Sequence, residues 1–131
     1  MAKRPKTRRS VEEILQSTSD VLFPAKMGKH KVKLNSQDCE GDTPLHVIIW
    51  RQDTFAAKRL IEAGAKIDAI GDMGETPLHI ALKTGNYDVA EALVRKGART
   101  HVRSEFGETA LDIARSTGGK FQRLLESTGS V

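Results

Sequence analysis

Apolar positions along this chain come in short, evenly spaced bursts. Leu45 opens one burst that runs through Val47-Ile48-Ile49-Trp50, and Leu78 and Leu111 open matching ones at equal intervals further along. Each burst is too short to be more than two turns of helix. The spacing predicts first helices over about 44–51, 77–84 and 110–117. A second set follows each first one. Ala57, Leu60 and Ile61 recur as Ala90, Leu93 and Val94, an apolar stripe at helical spacing. These predict second helices over about 54–63, 87–96 and 120–127. Further toward the N-terminus, Val11, Ile14 and Leu15 make a similar stripe and predict a helix over 11–19.

The punctuation between the bursts repeats in the same 33-residue register. Thr43-Pro44-Leu45-His46 returns as Thr76-Pro77-Leu78-His79 and, altered, as Thr109-Ala110-Leu111-Asp112. Threonine is a good helix N-cap, because its hydroxyl accepts from a free N–H of the first turn. Proline suits the next position, where no backbone donor is needed. Gly41, Gly74 and Gly107 precede these caps and can turn the chain. Gly85 and Gly118 close two of the first helices, and Gln52 stands at the matching place in the first unit. A side chain there costs on the order of 1 kcal/mol if the backbone is left-handed. Gly64 and Gly97 stop the second helices. A fixed period of this length marks a solenoid of stacked supersecondary units. Ser10 and Glu13 form a capping-box pattern one full period before Thr43, so 11–34 reads as a degenerate N-terminal cap.

The combined pattern, Gly-x-Thr-Pro-Leu-His, helix, Gly, longer helix, Gly-Ala, resembles the ankyrin repeat over residues 35–131. The resemblance implies an all-α solenoid of stacked helix-turn-helix units with projecting hairpin-like loops. It divides the chain into a basic disordered arm at 1–10, a capping helix and connection at 11–34, and three repeats at 35–67, 68–100 and 101–131. Ile48 and Ile49 are bulkier than the family's usual alanines, and the third unit lacks both Pro and His, as a terminal repeat facing water can.

Composition narrows the function. The 131 residues carry a net charge of +4 and a single cysteine, Cys39, so no internal disulfide framework exists and a reducing, cytoplasmic setting is expected. No apolar run approaches the roughly 20 residues of a membrane span, and the basic N-terminus has no apolar segment behind it to make a secretory signal. The charge is uneven. Residues 1–34 hold nine Lys/Arg against three acids, net +6, while the rest holds 12 against 14, net −2. The arm Lys3–Arg9 carries five basic residues in seven. It is the one place suited to nucleic acid, and the acidic balance of the repeats opposes that use.

No catalytic, cofactor-binding or metal-binding constellation emerges from the pattern. His46 and His79 are the motif histidines, which in ankyrin repeats bond to neighbouring backbone, and His30 and His101 have no partner at ligand spacing. Gly71-Asp72-Met73-Gly74 lacks the Lys-Ser/Thr of a phosphate loop.

The resemblance puts function on the loop tips and the open face of the first helices. Candidate partner-binding residues are Trp50, Arg51, Ile70, Asp72, Met73, Glu75, Lys83, Arg103, Glu105 and Phe106. Trp50, Ile70, Met73 and Phe106 are poor choices for solvated loops and good interface anchors. Acids at 40, 42, 72, 75, 105 and 108 surround them and suit a partner with a basic patch. The expected protein is a monomer when free, an adaptor or inhibitor of one protein, and in its narrowest form an immunity-type inhibitor of a toxin. The competing reading is a nucleic-acid-associated regulator that uses residues 3–9.

Overall fold

The computed structural model describes residues 10–22 and 31–129, with side chains through Glu126. Residues 1–9 of the basic arm, and Phe23, Pro24 and Gly28 of the connection, lie outside the described residues. Among the described residues eight α-helices follow one another: α1 (Val11–Gln16), α2 (Ser19–Leu22), α3 (Pro44–Trp50), α4 (Thr54–Glu62), α5 (Pro77–Lys83), α6 (Tyr87–Arg95), α7 (Ala110–Thr117) and α8 (Gly119–Gly129). No strand forms among those same residues.

The first helices begin where the threonines put them. Thr43, Thr76 and Thr109 each accept from the backbone N–H three residues on, and each is answered by the residue there, His46, His79 or Asp112. The second helices use a cap that the repeat pattern does not announce: Asp53 accepts from Ala56 N–H, and Asn86 from Val89 N–H. Glycines supply the left-handed backbone between paired helices, with φ of 72° at Gly85 and 73° at Gly118. Gln52 adopts the same conformation at φ 57°. In the third unit Gly118 and Gly119 are both left-handed, and α8 starts one residue early for the 33-residue register.

Pairs then stack. α3 packs on α4 and α5, α5 on α6 and α7, α4 on α6, and α6 on α8. The core is the predicted stripe: Leu45, Leu60, Leu78, Leu93, Ala57 and Ala90 are all fully buried. Truncating one of these leucines to alanine costs on the order of 3 kcal/mol. Ile48 and Ile49 are buried too.

The N-terminal cap departs from the expected single helix over 11–19. Ser10 and Glu13 form their capping box, but the helix breaks after Gln16 and restarts at Ser19. The cause is side-chain competition for backbone carbonyls. Ser17 Oγ donates to Ile14 O and Thr18 Oγ1 to Leu15 O, both at 2.6 Å, and this local bonding interrupts the ladder. α1 packs on α4, and Ile14, Leu15 and Leu22 are buried, whereas Val21 is exposed.

Candidate functional site

The site is built on three loops of one design. Asp38, Gly71 and Ser104 each donate their N–H to the carbonyl four residues on, at 3.0, 2.9 and 2.8 Å. Gly41, Gly74 and Gly107 return a bond to the first residue of each loop. Met73 O accepts from Glu105 N–H at 2.9 Å, which ties the second loop to the third.

Behind the loops the motif histidines join one repeat to the next. Thr43 N–H donates to His46 Nδ1 at 3.1 Å, so Nε2 carries the proton and donates to Glu75 O at 3.0 Å. His79 repeats this with Thr76 and Glu108 O. Burial holds His46 below its ordinary pKa of 6.5, against the opposing effects of the bond to Glu75 and the nearby Asp42 carboxylate. Asp112 takes the histidine's place at the third cap. Bonds from the Thr109 backbone and hydroxyl pull its carboxyl below the usual range.

The three loops differ in how side chains brace them. In the first, Asp38 Oδ1 accepts from Glu40 and Asp42 N–H, both at 2.9 Å. In the third, Ser104 Oγ accepts from Phe106 N–H at 3.2 Å. The second has Gly71 at this position, and Asp42 reaches across from the first loop to accept from Asp72 N–H at 2.9 Å. A Cβ on Gly71 would stand 2.2 Å from Asp42 Oδ1, so only glycine admits this brace.

A second brace runs from the residue one place earlier. Gln37 Nε2 donates to Gly41 O at 2.9 Å, and Arg103 Nη1 to Gly107 O at 2.8 Å. The matching residue of the second loop is Ile70, which has no donor to offer and is 54% exposed. Met73, at the tip of the same loop, is a non-glycine residue at φ 60° and is 47% exposed. The second loop therefore gives up a hydrogen bond and accepts backbone strain, and it displays two apolar side chains.

On the open face of the first helices, Lys83 projects from the end of α5 and pairs with the Glu75 carboxylate. Its Nζ also lies 4.6 Å from the centroid of the Phe106 ring, a cation–π contact. Glu75, Lys83 and Phe106 thus form one connected group. One register earlier the matching positions are Asp42, Trp50 and Met73. Trp50 holds the position of Lys83 and is 52% exposed, and Phe106 holds that of Met73 and is 59% exposed.

Two residues differ from their expected setting. Glu75 is only 5% exposed, so it lies beneath the surface as the counter-ion of Lys83 and not among the open acids. Arg51 is exposed, but its guanidinium donates to Ser17 O at 3.1 Å and Ser17 Oγ at 3.3 Å, which ties it to the N-terminal cap. Asp72, Arg103 and Glu105 are exposed beside the apolar tips. The exposed Phe55 on α4 has no signal in the sequence, since it follows no motif residue.

A family model described as ankyrin repeats, in three copies, matches residues 9–104, well over half of the chain. The chain belongs to the ankyrin-repeat family. The match takes in α1 and α2 and stops in the third loop, and α7 and α8 extend the ankyrin stack beyond it. No curated relative matches the chain. Ankyrin repeats are protein–protein interaction modules that present extended concave surfaces. No helix among the described residues is long and apolar enough to cross a membrane.

Proposed function

We propose that this ankyrin protein is a small cytoplasmic adaptor or inhibitor, a monomer when free, that acts by occupying one protein partner. Trp50, Ile70, Met73 and Phe106 are its anchors. Asp72, Arg103 and Glu105 form the polar rim, and the Glu75–Lys83 pair holds Phe106 from below. Arg51 contributes at the N-terminal margin. The exposed acids of the rim suit a partner with a basic patch. In its narrowest form the partner is a toxin and the protein its immunity-type inhibitor. The division into a cap at 11–34 and repeats at 35–67, 68–100 and 101–131 belongs to the same proposal.

The observation that carries the reading is the second loop. Its neighbours hold themselves with Gln37 and Arg103, while it presents Ile70 without a donor and Met73 in a left-handed backbone. That conformation costs on the order of 1 kcal/mol for a side chain with a Cβ. Apolar side chains shown at such a cost mark a surface with a use. Trp50→Ala and Phe106→Ala are each expected to weaken partner binding by about 2 kcal/mol or more, as hot-spot anchors do, with little change in melting temperature. Unfolding with unchanged affinity would make these residues core and refute the assignment.

A further inference from the structure

Lys33, Lys66 and Arg99 hold the same position in successive periods, and all three are exposed. The backbone is pinned at each. Lys66 N–H donates to Asn35 Oδ1 at 2.8 Å and Arg99 N–H to Asp68 Oδ1 at 2.9 Å, in both cases a side chain one register earlier. Lys33 N–H donates to Ser36 Oγ at 2.8 Å. The three cations recur once per 33 residues, and packed helices of neighbouring units stand roughly 8–10 Å apart.

Neither local pairing nor the helix dipole accounts for this column of cations. Arg99 meets Asp68 only at 3.9 Å, and among the described residues Lys33 and Lys66 make no ion pair. Asn35 stands where Asp68 stands one register later, so a neutral amide replaces the acid beside Lys66. α4 ends at Glu62 and α6 at Arg95, which leaves Lys66 and Arg99 four residues past the helix ends. Favourable interaction with the dipole is confined to the last turn. Lys66 and Arg99 belong to the chain that leaves the second helices, not to the loop tips and first helices that carry the exposed apolar side chains.

We infer that this column docks an acidic helical segment of a protein partner, with carboxylates seven residues apart. Seven residues of α-helix rise about 10.5 Å and return to nearly the same face, which is close to that spacing of packed helices. An extended strand covers about 10 Å in three residues, and an odd number of steps turns the next side chain to the opposite face. Duplex phosphates wind away from a straight column and carry one charge per roughly 1.7 Å of axis, far denser than the cations. The exposed apolar side chains and the basic column would then engage two proteins, or two parts of one.

The test is fluorescence anisotropy at low salt with the full chain and three labelled probes. The first is an Ala/Gln-based helical peptide of about 20 residues with Glu at every seventh position. The second has the same composition with Glu at every fifth position, and the third is a short duplex DNA. The seventh-position peptide is expected to bind about fivefold or more tighter than the other peptide and more tightly than the duplex. Lys66→Glu should remove about fivefold or more of that affinity, as loss and reversal of exposed pairs would. Lys66→Gln, which cannot repel, should remove part of it, and Lys58→Glu, within α4 and off the column's register, should leave it intact. Thermal melts check that each variant is folded. Equal binding of the two peptides, tighter binding of the duplex, or indifference to both Lys66 variants would overturn the inference.

Discussion

Replacing Lys83 with methionine tests what holds the group of Glu75, Lys83 and Phe106 together. The Glu75 carboxylate is nearly buried, and Lys83 Nζ is the only partner of its Oε2 among the described residues. Removing the ammonium leaves a buried negative charge without compensation, which for a fully buried pair costs about 3–5 kcal/mol. The Lys83 side chain is 29% exposed, so water can approach the carboxylate once the lysine is gone. That lowers the expected loss to about 2 kcal/mol. Glu75→Gln combined with Lys83→Met removes both charges, and the double variant is expected within about 1 kcal/mol of the original protein. A double-mutant cycle by urea denaturation, read with circular dichroism and linear extrapolation, measures the coupling, expected to be about 1.5 kcal/mol. It should persist at high salt, because a pair so shielded is screened far less than an exposed one. Additive effects within about 0.5 kcal/mol would mean that the pair is a surface contact and that Glu75 is solvated.

Gln52→Gly removes a Cβ from a residue at φ 57° where the other units use glycine, and is expected to raise stability by about 0.5–1 kcal/mol in the same assay. Ile70→Gln copies Gln37 and should restore the missing bond to Gly74 O, leaving stability unchanged or about 0.5–1 kcal/mol higher while partner affinity falls. A rise in affinity would remove Ile70 from the interface. His46 is neutral in the fold with a pKa held below 6.5, so its contribution to stability is complete above that value and is lost as pH falls through it toward the folded pKa. The urea midpoint should fall between about pH 7 and pH 5, and less steeply in His46→Asn; identical slopes would refute the role of this histidine.

Much of the fold was legible because its signals are local and repeat. Thr43, Thr76 and Thr109 cap helices through bonds that span three residues, and the glycines that follow force turns wherever they stand. The break after Gln16 was hidden because Ser17 and Thr18 fit a helix until their hydroxyls take its carbonyls. The exposure of Trp50, Ile70, Met73 and Phe106 was legible from residue type and place alone, since a large apolar side chain at a loop or helix end is conspicuous without any knowledge of its neighbours. What makes the second loop unusual was not, for a different reason. The sequence contains Gln37, Ile70 and Arg103 in register, but only the geometry makes Gly41 O and Gly107 O the acceptors. The burial of Glu75 is not legible, because the sequence does not foretell that Lys83, eight residues on, turns back to pair with it.

Partner binding through Trp50 and Phe106 is tested most directly by capture from native lysate, with mass spectrometry of what is retained. The original chain is compared with the Trp50→Ala/Phe106→Ala double variant and with a variant lacking residues 1–9. One stoichiometric protein retained by the original chain and by the truncated one, and lost with the double variant at an unchanged melting temperature, is the expected result. Retention of the same protein by the double variant, or nucleic acid that disappears only when residues 1–9 are removed, would contradict it.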